Sequence, residues 1–551
     1  ARSAAMEELI GPDEARHLVL RPTVFVWAPL KLLSGLSLSC PHCARRATKV
    51  RWCRIRVMHR IDGQCLYLAT RHICEKCGAN PQHRDTSFQS DAPEVIASLP
   101  ESLQQLWSFI DTGRALIDVD LANFCCAMAT ISSWATIANV VNEMKMTHWM
   151  RKSTVRYLKL CETLDVLPAE TPKELPPEYK VSDRWVRELC IGEFHRKEPE
   201  TFRELAAEQG DDVIVFDWTH SAASGCSAKV MFNAMSGRRK VLASALTTTC
   251  GPHEVEALMR SLANRGIKPK VAYVDDECCG AWRIIESIWP AIAIRLDGFH
   301  ALKRLTQTTV STQHPFHGAF CAKLSDALYT YDAGELRRLQ GARTRAGMSK
   351  SLPRGMKMKY VPRIIADANK IEEAIDSVIT SFANCSHEDI GPLLTPQTHA
   401  AWQNLRMHVR AGCLCDPPGV HLNIVDEQND VTIGGEVFMP VKSLRGTSAL
   451  EGFHCHQKQW LGTFARHSMN AGLALISEGS LRWNRKRTRE ASGSESAAPL
   501  VFATGLLHEA NSLHQRLTGH KLYPAHTLCD AACEDPVCCM AMNKRRQHAP
   551  L

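Results

Sequence analysis

The sequence predicts an α+β protein of several domains. Three observations carry that prediction: paired-cysteine knuckles near the amino terminus, a long stretch of helical periodicity, and apolar β-type runs interleaved with helical segments. A chain of 551 residues, 45% hydrophobic and 23% charged, is long enough to bury several cores. No uninterrupted apolar run reaches the 18 residues of a membrane span, and the basic-then-apolar order of a secretory signal is missing. A soluble, intracellular protein with no membrane partner is therefore expected. The chain opens on Ala1 rather than Met, as a processed or truncated product would, so a targeting segment upstream stays an open alternative. The net charge of +8, with basic clusters at 482–489 and 543–547, favours a polyanionic partner.

Residues 1–95 form the first expected domain. "CPHC" (Cys40, Cys43) and "CEKC" (Cys74, Cys77) offer four thiolates that close a tetrahedron around Zn²⁺, with the alternating segments "VRWCRIRVM" and "QCLYLAT" between them reading as strands. This is zinc-ribbon spacing. A site closed by four protein ligands has no vacant position, so the zinc is structural. Cys53, Cys65, His42 and His72 are read as packing or surface residues.

Residues 96–205 read as helical, beginning with "LPESLQQLWSFI". The stretch 122–144 has the pattern of a helix, a short serine-containing turn and a second helix. This pattern serves either as a DNA-reading helix-turn-helix or as a packed helical hairpin. The basic charges that DNA reading needs come late, in "KMTHWMRKSTVR".

Residues 206–300 hold the expected core. Strands are predicted at "VIVFDWTH", "AKVMFNAM", "VLASALT", "KVAYV" and "AIAIRL", with helices over 252–266, ending at Gly266, and over about 280–288. Three strands, helix, strand, helix, strand is the order of the ribonuclease H-like fold. In that fold the first and fourth strands lie side by side, which brings Asp217 and Asp275 together. Two facing carboxylates repel unless cations lie between them, and Mg²⁺ or Mn²⁺ prefers such oxygen ligands. Two such ions support in-line phosphoryl displacement. Of Asp275 and Asp276 only one faces the site, because strand side chains alternate; Asp275 is preferred as the direct continuation of the strand. The third carboxylate is assigned to Glu451, in the first turn of a helix after Gly446, Thr447 and Ser448, with His454 and Lys458 on a basic face suited to a phosphate backbone.

Taken together, "CPHC...RHICEKC", "FDWTH", "YVDDECCG", "RLDGFHALKRL", "GCLCDPPGV" and "LRGTSALEGFHCHQKQW" resemble DDE-type transposases of cut-and-paste DNA transposons, or host proteins derived from them, over most of residues 22–470. Mutator-like and related transposases show a comparable order: Asp, Asp, Asp-x-x-His, then Glu after a long insertion. The resemblance implies catalytic roles for Asp217, Asp275, Glu451, Asp297 and His300. It also implies DNA contacts from His454, Lys458, Lys303 and Arg304, and a mainly helical insertion over 301–440 before a final core helix in 441–480. Asp297 is either a fourth metal ligand or a holder of His300. His300 either contacts phosphate, orients water, or is a satisfied core histidine.

The implied activity is Mg²⁺-dependent cleavage at transposon ends followed by strand transfer into target DNA, by an oligomer, in the nucleus if the protein is eukaryotic. A domesticated, inactive DNA-binding scaffold and a nuclease without joining are the alternatives. Residues 481–551 read as a basic, cysteine-containing tail, with 482–496 as a flexible linker and nuclear-import signal. Cys413, Cys415 and the tail cysteines Cys529, Cys533, Cys538 and Cys539 lack ligand spacing, and no metal is assigned to them.

Overall fold

The computed structural model describes residues 23–47, 49–78, 87–163, 165, 167, 174–220, 230–461, 469–492, 504–523 and 538–540. It is a mixed α/β structure in two compact units, Ala1–Glu193 and Phe194–Leu551. No helix among the described residues is long and apolar enough to cross a membrane.

The first unit is built on seven strands: β1 (Val24–Trp27), β2 (Lys49–Trp52), β3 (Arg56–Arg60), β4 (Gly63–Ile73), β5 (Ser87–Gln89), β6 (Phe109–Asp111) and β7 (Ala115–Asp118). The sheet runs β1-β4-β3-β7-β6, with β2 and β5 also paired to β4. The single strand expected over "VRWCRIRVM" is broken at Cys53–Ile55 into β2 and β3, which pair with opposite ends of the long β4. The two knuckles therefore sit on a sheet larger than a ribbon. Trp27, Met58, Tyr67 and Leu116 are buried beneath it, and the thiol of Cys65 donates to the Met58 sulfur at 3.2 Å. His72 is buried against Thr70.

The helical reading of 96–205 is corrected at its start. Pro93 and Pro100 begin two short helices, Pro93–Ser98 and Glu101–Gln104, and the chain then turns into the β6–β7 hairpin. The helix-turn-helix pattern is present as Val119–Ala129 and Trp134–Trp149, with Ser133 capping the second helix through Thr136 N. Its first basic residue points inward. Lys145 is fully buried, bonded to His59 Nδ1 at 2.9 Å and to the Tyr179 carbonyl at 3.1 Å. Arg151 and Lys152, in the π-helical turn that follows, are exposed.

Burial pushes the Lys145 ammonium down from 10.5 to about 8, against a small opposing pull from Cys125. The unfolded chain then binds more protons than the folded one between pH 8 and 10.5. Wild type is expected to gain on Lys145→Met by about 1–3 kcal/mol as pH rises through that window. A difference in denaturant stability that does not vary with pH would refute this.

The second unit contains β8 (Val213–His220), β9 (Val230–Ser236), β10 (Val241–Thr247), β11 (Val271–Val274) and β12 (Ala293–Leu296). Their order is β12-β11-β8-β9-β10, with Cys538–Met540 adding a parallel strand beside β10. β8, β9 and β10 form an antiparallel meander, whereas β11 and β12 run parallel to β8. β9 and β10 are buried at every position, which explains their unbroken apolar runs: both sheet faces are covered. One face packs Ile214, Phe216, Phe232 and Val274 against Trp282, Leu302 and the helices of the insertion. The other packs Val213, Val215, Val271 and Tyr273 against Leu450, Phe453 and Trp483.

The expected helix at 280–288 is a 3-10 helix, Ala281–Ser287, following the irregular backbone of Gly280. Helices His317–Leu328, Ala368–Phe382 and Pro396–Arg410 make up much of 301–440, accompanied by short hairpins. Phe320, Ile371, Ile375 and Trp402 from this region share the core of the sheet. The linker expected over 482–496 is corrected as far as Ser492. Residues 469–492 form one helix, in which Trp483 packs into the core, Asn484 exchanges two bonds with the Val241 backbone, and buried Arg485 pairs with Glu204 at 2.7 Å. A stretch rich in Arg is helical here because its alternate turns have partners under the sheet. Residues 493–496 and the side chains of the tail cysteines lie outside the described residues.

Candidate functional site

Strand alternation sets the site. Val213 and Val215 point to the face covered by the helix Ser448–Leu461, so Asp217 points there too. On the neighbouring parallel strand, Val271 and Tyr273 share that face, and Asp275 continues it just past the strand end. Asp276 turns away and pairs with Arg304 at 3.0 Å. The Arg304 guanidinium also donates to the Asp275 carbonyl at 2.8 Å, which braces the turn that carries both acids.

Asp297 caps the helix Gly298–Thr306. Its Oδ1 accepts from His300 N at 2.7 Å, and its Oδ2 accepts from Thr447 N at 2.6 Å. Both oxygens are thus engaged by protein donors, which makes Asp297 the holder of His300 and of the turn before Glu451. Gly446 has φ +78°, and a Cβ there would run into Asp297 Oδ2. Gly446→Ala is therefore expected to cost about 2–3 kcal/mol through strain and displacement of Thr447. Unchanged thermal stability would contradict this reading of the turn.

The Thr447 carbonyl starts the helix Ser448–Leu461 by accepting from Leu450 N and Glu451 N. That helix is anchored to the sheet by a buried amide pair, Asn233 and Gln457, bonded both ways at 2.8 Å and joined by Ser244. His300 is the hub. Its Nδ1 lies 3.2 Å from both Asp275 Oδ1 and Asp297 Oδ1, and its Nε2 lies 3.4 Å from Glu451 Oε1. On the other side His454 Nδ1 is 3.4 Å from Asp217 Oδ2. The structure therefore gathers Asp217, Asp275, Asp297, His300, Glu451 and His454. It does not bring Asp217, Asp275 and Glu451 to within 4.8 Å of one another: no metal-ligand group of that compactness among the described residues includes them.

Burial, followed by the charge of Asp275, pushes the Asp217 carboxyl up to about 9, and burial raises Asp275 as well. Burial opposes ionisation of Asp297 too, but its bonds from His300 and Thr447 prevail and hold it below the usual range. The His300 imidazole is raised, chiefly by its bond to Asp297. His454 is held neutral, down to about 3, by burial and then Lys458. His454 is 4% exposed and turned onto Asp217, whereas Lys458, one turn on, is exposed. Lys303 lies over the Phe299 ring, beside a cavity of about 590 Å³ lined also by Asp297, Arg363 and Arg445.

Asn233 and Gln457 went unrecognised in the sequence, since single polar residues in apolar segments carry no spacing signal. Thr447 reads as part of the turn before the helix, but its bond to Asp297, 150 positions away, leaves no local cue.

In the first unit, Cys40, Cys43, Cys74 and Cys77 converge with Cys40–Cys77 Sγ atoms 3.8 Å apart and Cys43–Cys74 3.5 Å apart. All four Sγ atoms lie within 4.8 Å of one another, and the group is placed to hold a structural metal such as zinc.

Residues 11–187 match a protein family described as a domain of unknown function, DUF6729. The match spans the cysteine knuckles and the helical hairpin and stops short of β8 and the acidic site. No curated protein matches the chain.

Proposed function

We propose that the protein is a DDE-type transposase-like polynucleotidyl transferase that cleaves DNA at transposon ends and joins them to target DNA. One observation carries this reading: Asp217 and Asp275, from adjacent parallel strands, face each other beside Glu451, which arrives 176 positions later on a helix across the same sheet face. A ribonuclease H-like core with a helical insertion accounts for that strand order and for the long interval. Asp217 and Asp275 suit a hard divalent cation such as Mg²⁺ or Mn²⁺, since burial disfavours the charge of both carboxyls and the charge of Asp275 adds to that at Asp217. Such an ion supplies activation of an oxygen nucleophile and neutralisation of charge at phosphorus.

The chain's own residues do the rest. Asp297 fixes His300, which orients Glu451 toward the aspartates, and the His454 imidazole lies 3.4 Å from Asp217 on the other side. Lys458, Lys303 and Arg304 flank the site as phosphate-binding groups, while the first unit recognises DNA ends or supports assembly as an oligomer. Such a protein acts in the nucleus if its host is eukaryotic.

The test is nicking and joining of DNA carrying the flanking repeats, with Mg²⁺ or Mn²⁺, comparing the parent with Glu451→Gln. Cleavage and joining that are lost in Glu451→Gln, with DNA binding retained, support the proposal. Cleavage without joining assigns a nuclease. Binding without either favours a second reading, a domesticated scaffold, which the open spacing of Glu451 from the aspartates supports.

A further inference from the structure

A second cluster of metal-ligating side chains lies outside the acidic site. Cys278 and Cys279 follow β11, and His408 and Cys413 come from the end of the helix Pro396–Arg410, some 130 positions later. Nothing in their spacing marks them as a set. In space the Cys278 and Cys279 Sγ atoms are 3.8 Å apart, Cys279 and Cys413 are 3.0 Å apart, and His408 Nδ1 lies 3.3 Å and 3.6 Å from Cys278 and Cys279. All four ligand atoms fall within 4.8 Å of one another. A tetrahedral zinc with bonds of about 2.3 Å to sulfur and about 2.0 Å to nitrogen has edges of roughly 3.8 Å and 3.5 Å, which these separations approach. The Cys279–Cys413 gap is well beyond a disulfide bond of about 2.05 Å.

Backbone geometry on both sides presents these groups. Glu277, a non-glycine residue at φ +51°, turns the chain so that Cys278 goes inward, 4% exposed, while Cys279 stays at the surface. On the other side Gly412, at φ +73°, ends the helix, and Cys413 N returns to the His408 carbonyl at 2.9 Å, which folds the sixth residue back beside the first. The Cys413 carbonyl then accepts from Leu296 N at 2.8 Å, one residue before Asp297.

We infer that Cys278, Cys279, His408 and Cys413 form a second structural zinc site, which clamps the end of the insertion to the two segments that carry Asp275 and Asp297. Three thiolates and one imidazole are a soft donor set that selects zinc over Mg²⁺ or Ca²⁺. Four protein ligands leave no open position, so the ion braces the fold. Its loss frees the turn three residues from Asp275. The inference does not depend on the proposed reaction.

The test is metal analysis of the full chain purified without chelator. Two zinc ions per chain are expected, falling to one in Cys279→Ser/Cys413→Ser and to one in Cys40→Ser/Cys74→Ser. His408→Cys is expected to keep two, and in cobalt-substituted protein to strengthen the thiolate-to-cobalt absorption. This variant carries the test if the serine variants fail to fold. A parent chain with fewer than two zinc ions overturns the inference. So does retention of both ions in Cys279→Ser/Cys413→Ser, or a metal-free Cys279–Cys413 disulfide in the parent.

Discussion

Replacing Asp217 with Asn is expected to lower metal-dependent DNA cleavage by on the order of 10³-fold while making the metal-free protein more stable. Both effects have one cause. Asp217 is 6% exposed and faces Asp275, so its charge is disfavoured unless a cation lies between them. With the folded carboxyl raised to about 9 against an ordinary 3.8, the favourable contribution of Asp217 is complete below pH 3.8 and is lost as pH rises towards 9. Asparagine has the same shape and no proton to lose. The advantage of Asp217→Asn in thermal unfolding should therefore grow from pH 5 to pH 9, reaching about 2 kcal/mol in chelator. Mn²⁺ should restore the parent and leave the variant unmoved. Parallel pH profiles for the two proteins, with no response of the parent to Mn²⁺, would remove the case for a cation at this pair.

Cys74→Ser is expected to cost the first unit more than any single truncation of its apolar core. Structural zinc contributes about 10–16 kcal/mol in small metal-dependent fingers, whereas a buried Leu-to-Ala change costs about 2–5 kcal/mol. The first unit has a larger sheet than such a finger, so its loss falls between those figures. Cys74 and Cys77 sit where β4 ends, and Cys40 and Cys43 come from the segment before β2, so a bound ion would tie the two knuckles together beside the β2–β4 pairing. Near-ultraviolet circular dichroism reports on this directly, because Trp27 and Trp107 pack 5.0 Å apart in the same core. Loss of that signal, and protease cleavage within residues 40–77, are expected for Cys74→Ser and for chelator-treated parent. A parent that keeps both after complete zinc removal shows that the sheet holds by itself.

The parts of the fold that were legible in the sequence are those with a local pattern. The strands at "VIVFDWTH" and "KVAYV" are readable from apolar runs that end on acids, alternation allows only one of Asp275 and Asp276 to face the site, and Asp275 is the direct continuation of its strand. The CxxC pairs were readable because both ligands of each pair come from one turn. The failures were of two kinds. "LPESLQQLWSFI" has helical spacing, yet Phe109 and Ile110 belong to β6 because β7 offers them backbone partners. "RWNRKRTR" has the composition of a solvated linker, yet Glu204, Glu478 and the β10 backbone are within reach and make it a helix.

By itself, then, the sequence determined the paired knuckles, the strands that end on Asp217 and Asp275, and the Glu451 turn, because each depends on neighbours a few residues apart. Tertiary structure alone decided the rest. It made Asp297 a positioning residue by engaging both its oxygens, placed His300 between the acids, sent Lys145 inward, and joined Cys278 and Cys279 to His408 and Cys413. The physical reason is the same in each case. Each depends on a partner from a segment distant along the chain, His59 86 positions from Lys145, Thr447 150 from Asp297 and His408 130 from Cys278, and such a partner leaves no periodicity in the sequence.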